Sequence, residues 1–275
     1  MQRKILQSWH EFGNELQQLI QYRDELVDVN KRPDILVFRG QQDATWHLET
    51  TLERRTRQET YSMRKYLKII EKARPKLPTK SISWETLDRP EYSDWYHNWN
   101  FLWLNGLGDY MIYLRHHGFP SPLLDWTTSP QVAAYFAFRD ARNSSDSIAI
   151  FAFLDNTTGA KGGWLAEPNI GRIRSEFLSE TRHTRQQGTY TYCSTETKEG
   201  IYYCNHEKVF TSNRRHKFPQ DVLWQFIIPS SERDKVMKKL ESESINTAVL
   251  FDSRDILEES KYFQGLFTEL DAQEI

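Results

Sequence analysis

Two stretches of the chain gather residue types able to do chemistry. The first is RHHGFPSPLLDWTTSPQVAAYFAF, residues 115–138. It places His116, His117, Asp125, Trp126 and the hydroxyl run Thr127, Thr128 and Ser129 just ahead of an apolar segment opened by Pro130. Serine followed by proline is a helix start, because Ser caps the first free N–H groups and Pro suits the first helical position. A helix N-terminus offers unpaired N–H groups and a favourable dipole, so this placement suits anion or nucleotide binding. The second stretch is VFRGQQDATWHLETTLERR, residues 37–55. There Arg39 and Gly40 end an apolar, strand-like run. A guanidinium at such a place forks onto a phosphate or a carboxylate. Gly40 would let a ligand or another backbone come close. Arg39 serves equally well as one half of a structural ion pair, with Asp125 as its natural partner.

The other candidates carry the same double reading. Asp125 is polar inside an apolar run and needs a partner, for which His117, Arg39 and a backbone N–H are available. It is either a general base or the group that orients its loop. Thr127 and Thr128 could bond a ribose or phosphate, or simply pair with loop backbone, while Ser129 caps the helix. Gln186, in the run Gln186-Gln187-Gly188, either presents an amide to a base or ribose or belongs to a turn leading into a strand. Adjacent His116 and His117 point about 100° apart on a helix and cannot share a metal. No HxxxH or CxxC spacing is present, so no metal site is expected. GxSxG, P-loop and GxGxxG motifs are absent as well, which leaves hydrolase triads, common NTPases and dinucleotide dehydrogenases without support.

The elements that must position these residues follow from periodicity. Ile5, Trp9, Phe12, Leu16, Leu19 and Ile20 lie at helical spacing, predicting a helix over 5–27. Asp34 to Phe38 reads as a buried strand ended by Arg39-Gly40. A polar loop to Arg57 and a helix at about 59–74 follow, stopped by Pro75 and Pro78. Residues 76–95 read as an inserted loop, 96–115 and 130–141 as helices, and Ser147 to Leu154 and Val222 to Ile228 as buried strands. Residues 155–206 suggest only short strands and excursions. Ser231 with Asp234 resembles a capping box that opens a helix to Glu243. Thr247 to Phe251 reads as a strand, with a last helix near 253–264. Irregular alternation without repeats predicts a single α+β domain over 1–275, with a mixed or antiparallel sheet flanked by helices. Residues 1–30 form its N-terminal helical extension.

Composition sets the outer bounds. The 275 residues are 38% hydrophobic and 13% aromatic, with nine Trp, which suits a core built on large rings. Basic and acidic residues nearly cancel, 36 against 38, so no global charge drives nucleic-acid binding. Local basic patches remain, at Arg172, Arg174, Arg182 and Arg185. Two cysteines, Cys193 and Cys204, are expected to be free thiols in a reducing compartment. No signal-peptide core or membrane span is evident, and a cytoplasmic protein is expected.

FRGQ, the W.L…LER run after it, and RHHGFPSPLLDWTTSPQVAAYFAF together resemble the FRG domain, a family named for its Phe-Arg-Gly motif. Arg182-His-Thr-Arg-Gln186-Gln-Gly188-Thr-Tyr190-Thr191 resembles the family's later R…QxGxFT element, so the resemblance spans about 30–270. The chain departs from the pattern at Arg115, where Gln is usual, and at Ser121-Pro122, where Thr-Arg is usual. A fold-level similarity reaches further. An Arg on an early strand, then a hydroxyl run opening a helix, is similar to the Arg and Ser-Thr-Ser motifs of ADP-ribosyltransferases. That similarity implies a nucleotide-binding protein with NAD as substrate and a protein or nucleic-acid acceptor. Arg39 and Thr127, Thr128 and Ser129 would hold the NAD, with Gly40 and His117 beside them. Arg39, Asp125 and Gln186 form the implied catalytic set, and Glu176 or Glu180 are alternatives to Gln186. A non-catalytic ligand-sensing or protein-interaction module would use the same pocket without transfer.

Overall fold

A computed structural model describes residues 1–30, 35–73, 107–141, 146–155, 167–173, 181–211, 220–251 and 257–274. The expected loop at 76–95 and the alternatives Glu176 and Glu180 lie outside them. The centre of the fold is one nine-stranded sheet in the order β1-β9-β5-β2-β4-β7-β8-β3, with β6 also paired to β7. The strands are β1 (Gln2–Ile5), β2 (Ile35–Gln41), β3 (Thr60–Ser62), β4 (Leu123–Thr127), β5 (Ser147–Asp155), β6 (Asn169–Ile173), β7 (Gly188–Thr197), β8 (Gly200–Cys204) and β9 (Val222–Pro229). Among the described residues only β1 and β9 run parallel; the other pairs are antiparallel. The α+β class with a mixed sheet therefore holds.

The helices cover the two halves of the sheet separately. Over β1, β9, β5 and β2 lie α1 (Trp9–Asn30), α5 (Pro130–Phe138) and α8 (Arg233–Ser242). Their buried residues, such as Phe12, Ala133, Phe138 and Val236, pack on Leu36, Phe38, Ile150 and Phe226. Over β4, β7, β8 and β3 lie α3 (Met63–Ala73), α4 (Leu107–His116) and α10 (Leu257–Ala272). There Tyr66, Tyr110, Phe263 and Phe267 meet Leu123, Tyr190, Tyr192 and Tyr203. The opposite side chains of both halves, Val37, Leu124, Trp126, Phe151 and Phe153 among them, form a third cluster that joins the halves. This is the period-two alternation of strands with both faces buried.

The halves meet at a narrow seam. β2 pairs with β5 along its whole length, from Ile35↔Asp155 to Gln41↔Ala149. β4 pairs with β7 likewise, from Leu123↔Tyr192 to Thr127↔Gly188. Between β2 and β4 the register holds one pair, Phe38↔Thr127. Beyond it the ladder stops and a cavity opens.

Several local expectations need correction. The chain begins with β1 before α1, because Gln2 to Ile5 finds a partner in β9, which periodicity within the segment cannot reveal. Arg39 and Gly40 lie inside β2 rather than at its end. The region before Arg57 is not all loop: Thr50 caps a short α2 (Thr51–Thr56), its hydroxyl accepting from Glu53 N while the Glu53 carboxylate accepts from Thr50 N. LLDWT is a strand rather than a loop. Ser129 and Pro130 open α5 as expected, with the Ser129 hydroxyl accepting from Val132 N. A 3-10 turn at Ser230–Glu232 replaces the expected capping box ahead of α8. Thr247–Leu250 is a short helix, α9, capped by Asn246, in place of a strand. Three further short helices, α6 (Thr181–Arg185), α7 (Lys208–Thr211) and α9, connect the strands of the second half and the end of the chain. Among the described residues no helix is long and apolar enough to cross a membrane.

Gly40 shows what the sheet demands at this seam. A Cβ there would lie 1.9 Å from the Ala133 carbonyl oxygen and 2.7 Å from the Ala137 nitrogen of α5. Glycine is thus required for close helix-on-sheet packing, and it also lines the cavity at the seam. Backbone cannot yield as a side chain tip can, so Gly40→Ala is expected to lower stability by about 1–3 kcal/mol. Urea unfolding would show a lower midpoint with an unchanged slope; an unchanged midpoint would mean that α5 does not pack as described.

Candidate functional site

The cavity at the seam has a volume of about 910 Å³. Its walls include Arg39 and Gln41 from β2, Trp46, His47 and Glu49 from the following loop, and Arg54 from α2. Arg115 and His116 come from the end of α4, Asp125 to Thr127 from β4, and Gln186 and Tyr190 from the β7 region. Residues separated by up to about 150 positions of chain converge because each sits where a buried element reaches the gap between β2 and β4.

Arg39 bridges that gap. Its Nη1 donates to the backbone carbonyl of Asp125 at 2.7 Å, satisfying a group the broken ladder leaves unpaired. Burial pushes its guanidinium down to about 10; Asp125 opposes this, while Arg115 and Arg54 add to it. Arg39 Nε and Gln41 Oε1 are buried without a hydrogen-bond partner among the described residues. Buried polar groups left unpaired are rare in native folds and concentrate where function needs them.

Asp125 is held by Arg115 rather than by Arg39 or His117. Arg115 Nε donates to Oδ1 at 3.1 Å and Nη2 to Oδ2 at 2.6 Å, a two-pronged fork. Its remaining Nη1 donates to Thr51 Oγ1 at 3.0 Å. Gly118 makes this placement possible: with φ at +86° it ends α4 in the left-handed region, while Phe119 N donates back to Leu114 O. The reversal turns the chain from α4 into β4, so that Arg115 faces Asp125 ten residues later. Burial raises the Asp125 carboxyl, but the charges of Arg115 and Arg39 outweigh it and hold it below its ordinary range. A carboxylate with both oxygens engaged and a lowered pKa is a weak general base.

The hydroxyl run acts as a clasp. Thr127 Oγ1 donates to Gln186 O at 2.7 Å and accepts from Ser129 N at 3.1 Å. Thr128 N donates to Gln187 O, and its hydroxyl donates to the Gln187 side-chain oxygen. These bonds fix the turn before β7, where Gln187 takes φ +48°. Thr127 reaches the cavity; Thr128 and Ser129 are spent on the turn and the helix cap. Gln186 lines the cavity with its amide Nε2 donating to Leu250 O at 2.9 Å. His117 faces away, its ring 4.1 Å from Tyr113 and 5.5 Å from Phe263 against α10. The cavity receives His116 instead, which bonds the Tyr190 hydroxyl from one side while His183 Nδ1 lies 3.2 Å from it on the other. Trp126 is core, as its apolar neighbours imply. It is 4% exposed, and its indole N–H donates to Thr191 Oγ1 at 2.7 Å.

Of the residues singled out from the sequence as site residues, Arg39, Gly40, Asp125, Thr127 and Gln186 line the cavity, whereas His117, Thr128 and Ser129 do not; Gln41, Trp46, Arg54, Arg115 and His116 line it without having been placed in the site. Arg54 lies in the capped LERR turn and Arg115 heads RHHG, so basic residues beside already suspect motifs were the available signal. Partial desolvation lowers the Arg54 guanidinium, and Arg115 lowers it further, which places the three guanidiniums in mutual range. The lining carboxylates are Asp125 and Glu49, so the formal balance is three cations to two anions before His47 and His116 are counted. His47 rests on Glu207 at 3.0 Å, and that hydrogen bond and charge raise its pKa. Among the described residues no group of three or more His, Cys, Asp or Glu could hold a metal.

The family model for the FRG domain matches residues 34–146. The chain carries an FRG domain. The matched span runs from the segment before β2 to the start of β5, so the FRG domain supplies Arg39, Trp46, Arg54, Arg115 and Asp125. Gln186, His183 and Tyr190 lie beyond the match. Neither curated proteins nor solved structures yield a match.

The Asp125 side chain is 44% exposed, so water screens its pair with Arg115 and limits its worth to about 1 kcal/mol. The folded pKa is depressed, so this contribution is complete above the ordinary carboxyl value of 3.8 and is lost as pH falls through the folded value. Asp125→Asn should therefore be less stable than the native chain in urea unfolding at about pH 7, and the difference should shrink as the pH is lowered below 3.8. A difference that persists in acid would show that the side chain acts by packing rather than by charge.

Proposed function

We propose that the cavity binds a nucleotide of the NAD or ADP-ribose type, with its phosphates on Arg39, Arg54 and Arg115. The observation that carries this reading is the convergence of three guanidiniums that repel one another on a cavity wall. Like charges held together are relieved by an anion, and guanidinium forks match phosphate oxygens in geometry as well as charge. The volume supports a ligand of this size, since about 910 Å³ lies near the upper end of the roughly 300–1,000 Å³ of small-molecule sites.

Two activities are compatible with such a ligand. As an ADP-ribosyltransferase-like enzyme, the protein would hold NAD with Arg39 on the pyrophosphate and Thr127 beside the ribose. Gln186 would face the anomeric carbon, and ADP-ribose would pass to a protein or nucleic-acid acceptor. As a ligand-sensing module it would hold the nucleotide without transfer. The carboxylates favour the second. Asp125 is tied to Arg115, Glu49 is exposed at the rim, and the amide of Gln186 stabilises a developing oxocarbenium less than a carboxylate would. Release of nicotinamide from NAD, with and without protein acceptors, separates the two: turnover supports transfer, and binding without turnover supports sensing.

The arginines make the binding claim quantitative. Arg54 is exposed and its Nη1 donates only to Glu49 O at the surface, so Arg54→Gln should leave the melting temperature unchanged. Loss of one charged hydrogen bond is worth about 1.5–3 kcal/mol, or roughly 10- to 150-fold in affinity for ADP-ribose by calorimetry. Arg39→Ala should lose both binding and a similar amount of stability, because the same guanidinium holds the β4 carbonyl. Retention of full ADP-ribose affinity in Arg54→Gln and Arg39→Ala would remove the basis of the reading.

A further inference from the structure

The anion site has an aromatic neighbour that the fold does not explain. Trp46 lines the cavity with 50% of its surface exposed. Its indole touches no other aromatic ring among the described residues, whereas Trp9, Trp126 and Trp224 each make a tilted or edge-on ring contact. An exposed tryptophan on a mobile loop would need no explanation, since isolated apolar surface residues are common. The loop carrying Trp46 is instead fastened on both sides. Ala44 N donates to Ser147 O at 3.0 Å, and Ala44 O accepts from Gln225 Nε2 at 2.9 Å. The Asp43 carboxylate accepts from Thr45 N and Oγ1 at 2.8 and 2.6 Å. His47 O accepts from Gln41 Nε2 at 3.1 Å, and Leu48 N donates to Glu207 Oε1 at 2.8 Å. Leu48 O accepts from Asn205 Nδ2 at 3.2 Å. Side-chain amides and two carboxylates thus hold the backbone on either side of a ring left open to the cavity.

We propose that Trp46 is a stacking platform for the heterocyclic base of the bound nucleotide, which makes the site specific for base-bearing phosphates over sugar phosphates and free pyrophosphate. This rests on the anion reading above. A rigid, pre-oriented ring loses little entropy when a planar group settles on it, so its contact area is converted into affinity efficiently. The electrostatics select the class of group. The cations Arg39, Arg54 and Arg115 outnumber the carboxylates Asp125 and Glu49 in the same cavity wall, which disfavours a lysine or arginine side chain as the stacked partner. A neutral heteroaromatic ring carried by an anion meets no such penalty. The phosphates would lie on the guanidiniums and the base on the indole, both reached within one cavity.

The test is calorimetry with three probes, ADP-ribose, ribose 5-phosphate and inorganic pyrophosphate, on the native chain, Trp46→Phe, Trp46→Leu and Arg54→Gln. Circular dichroism and melting temperature confirm folding of each variant, which the exposure of Trp46 makes expected. The native chain should prefer ADP-ribose. Trp46→Leu should weaken ADP-ribose by about 5- to 150-fold, the range that base stacking of roughly 1–3 kcal/mol supplies, and leave pyrophosphate unchanged. Trp46→Phe should recover most of the loss. If Trp46→Leu binds ADP-ribose as the native chain does while Arg54→Gln does not, the platform is refuted and the anion site stands. If the native chain binds none of the probes, the anion reading fails and the platform falls with it.

Discussion

A single hydrogen bond, from the Arg39 guanidinium to the carbonyl of Asp125, spans the place where the sheet comes apart. A sheet interior tolerates no unpaired backbone, so a break in the ladder must be filled by a side chain, a helix or solvent. Here an arginine from β2 fills it. The choice has consequences. It brings a positive charge into the centre of the fold, lowers that charge's pKa, and keeps the two half-sheets apart by the reach of a guanidinium. The cavity exists because β2 and β4 pair only at Phe38 and Thr127, and it is basic because of what bridges them.

The surrounding charges follow from that centre. Arg115 takes both oxygens of Asp125, which leaves the carboxylate unable to neutralise Arg39 directly. Arg54 joins from a six-residue helix whose geometry a capping box sets. Residues that resemble catalytic groups are mostly occupied in holding this arrangement. Thr127, Thr128 and Ser129 clasp the turn at Gln186 and Gln187, and Tyr190 sits between two histidines. The site resembles a rigid receptor more than a set of loosely held acids and bases, which is why the proposed role is binding.

Much of this was legible in the sequence where the signal is local. Ser129-Pro130 announced a helix start, and SIAIFAFL and VLWQFII announced buried strands, because capping and continuous apolarity depend only on near neighbours. The Phe-Arg-Gly and LLDWTTS motifs, far apart in sequence, both supply residues to the cavity wall. What failed depended on distant partners. β1 is a strand only because β9 lies beside it, and TAVLF, rich in β-formers, is held as a short helix by the Asn246 cap. Gly40 was read as room for a ligand or another backbone; α5 takes that room on one side, while the glycine also lines the cavity. His117 and His116 are adjacent, and which one meets the cavity is decided by the rotation of α4 against α10. Arg115 looked like a departure from a family pattern, and its partner, ten residues on, became visible only through the reversal at Gly118.

The most direct measurement is a crystal structure of the protein grown with ADP-ribose. The account predicts the diphosphate in the gap between β2 and β4, with its oxygens about 2.7–2.9 Å from nitrogens of Arg39 or Arg54. The adenine should lie against the face of Trp46. ADP-ribose bound elsewhere on the surface, with the Arg39 cavity unchanged, would contradict it.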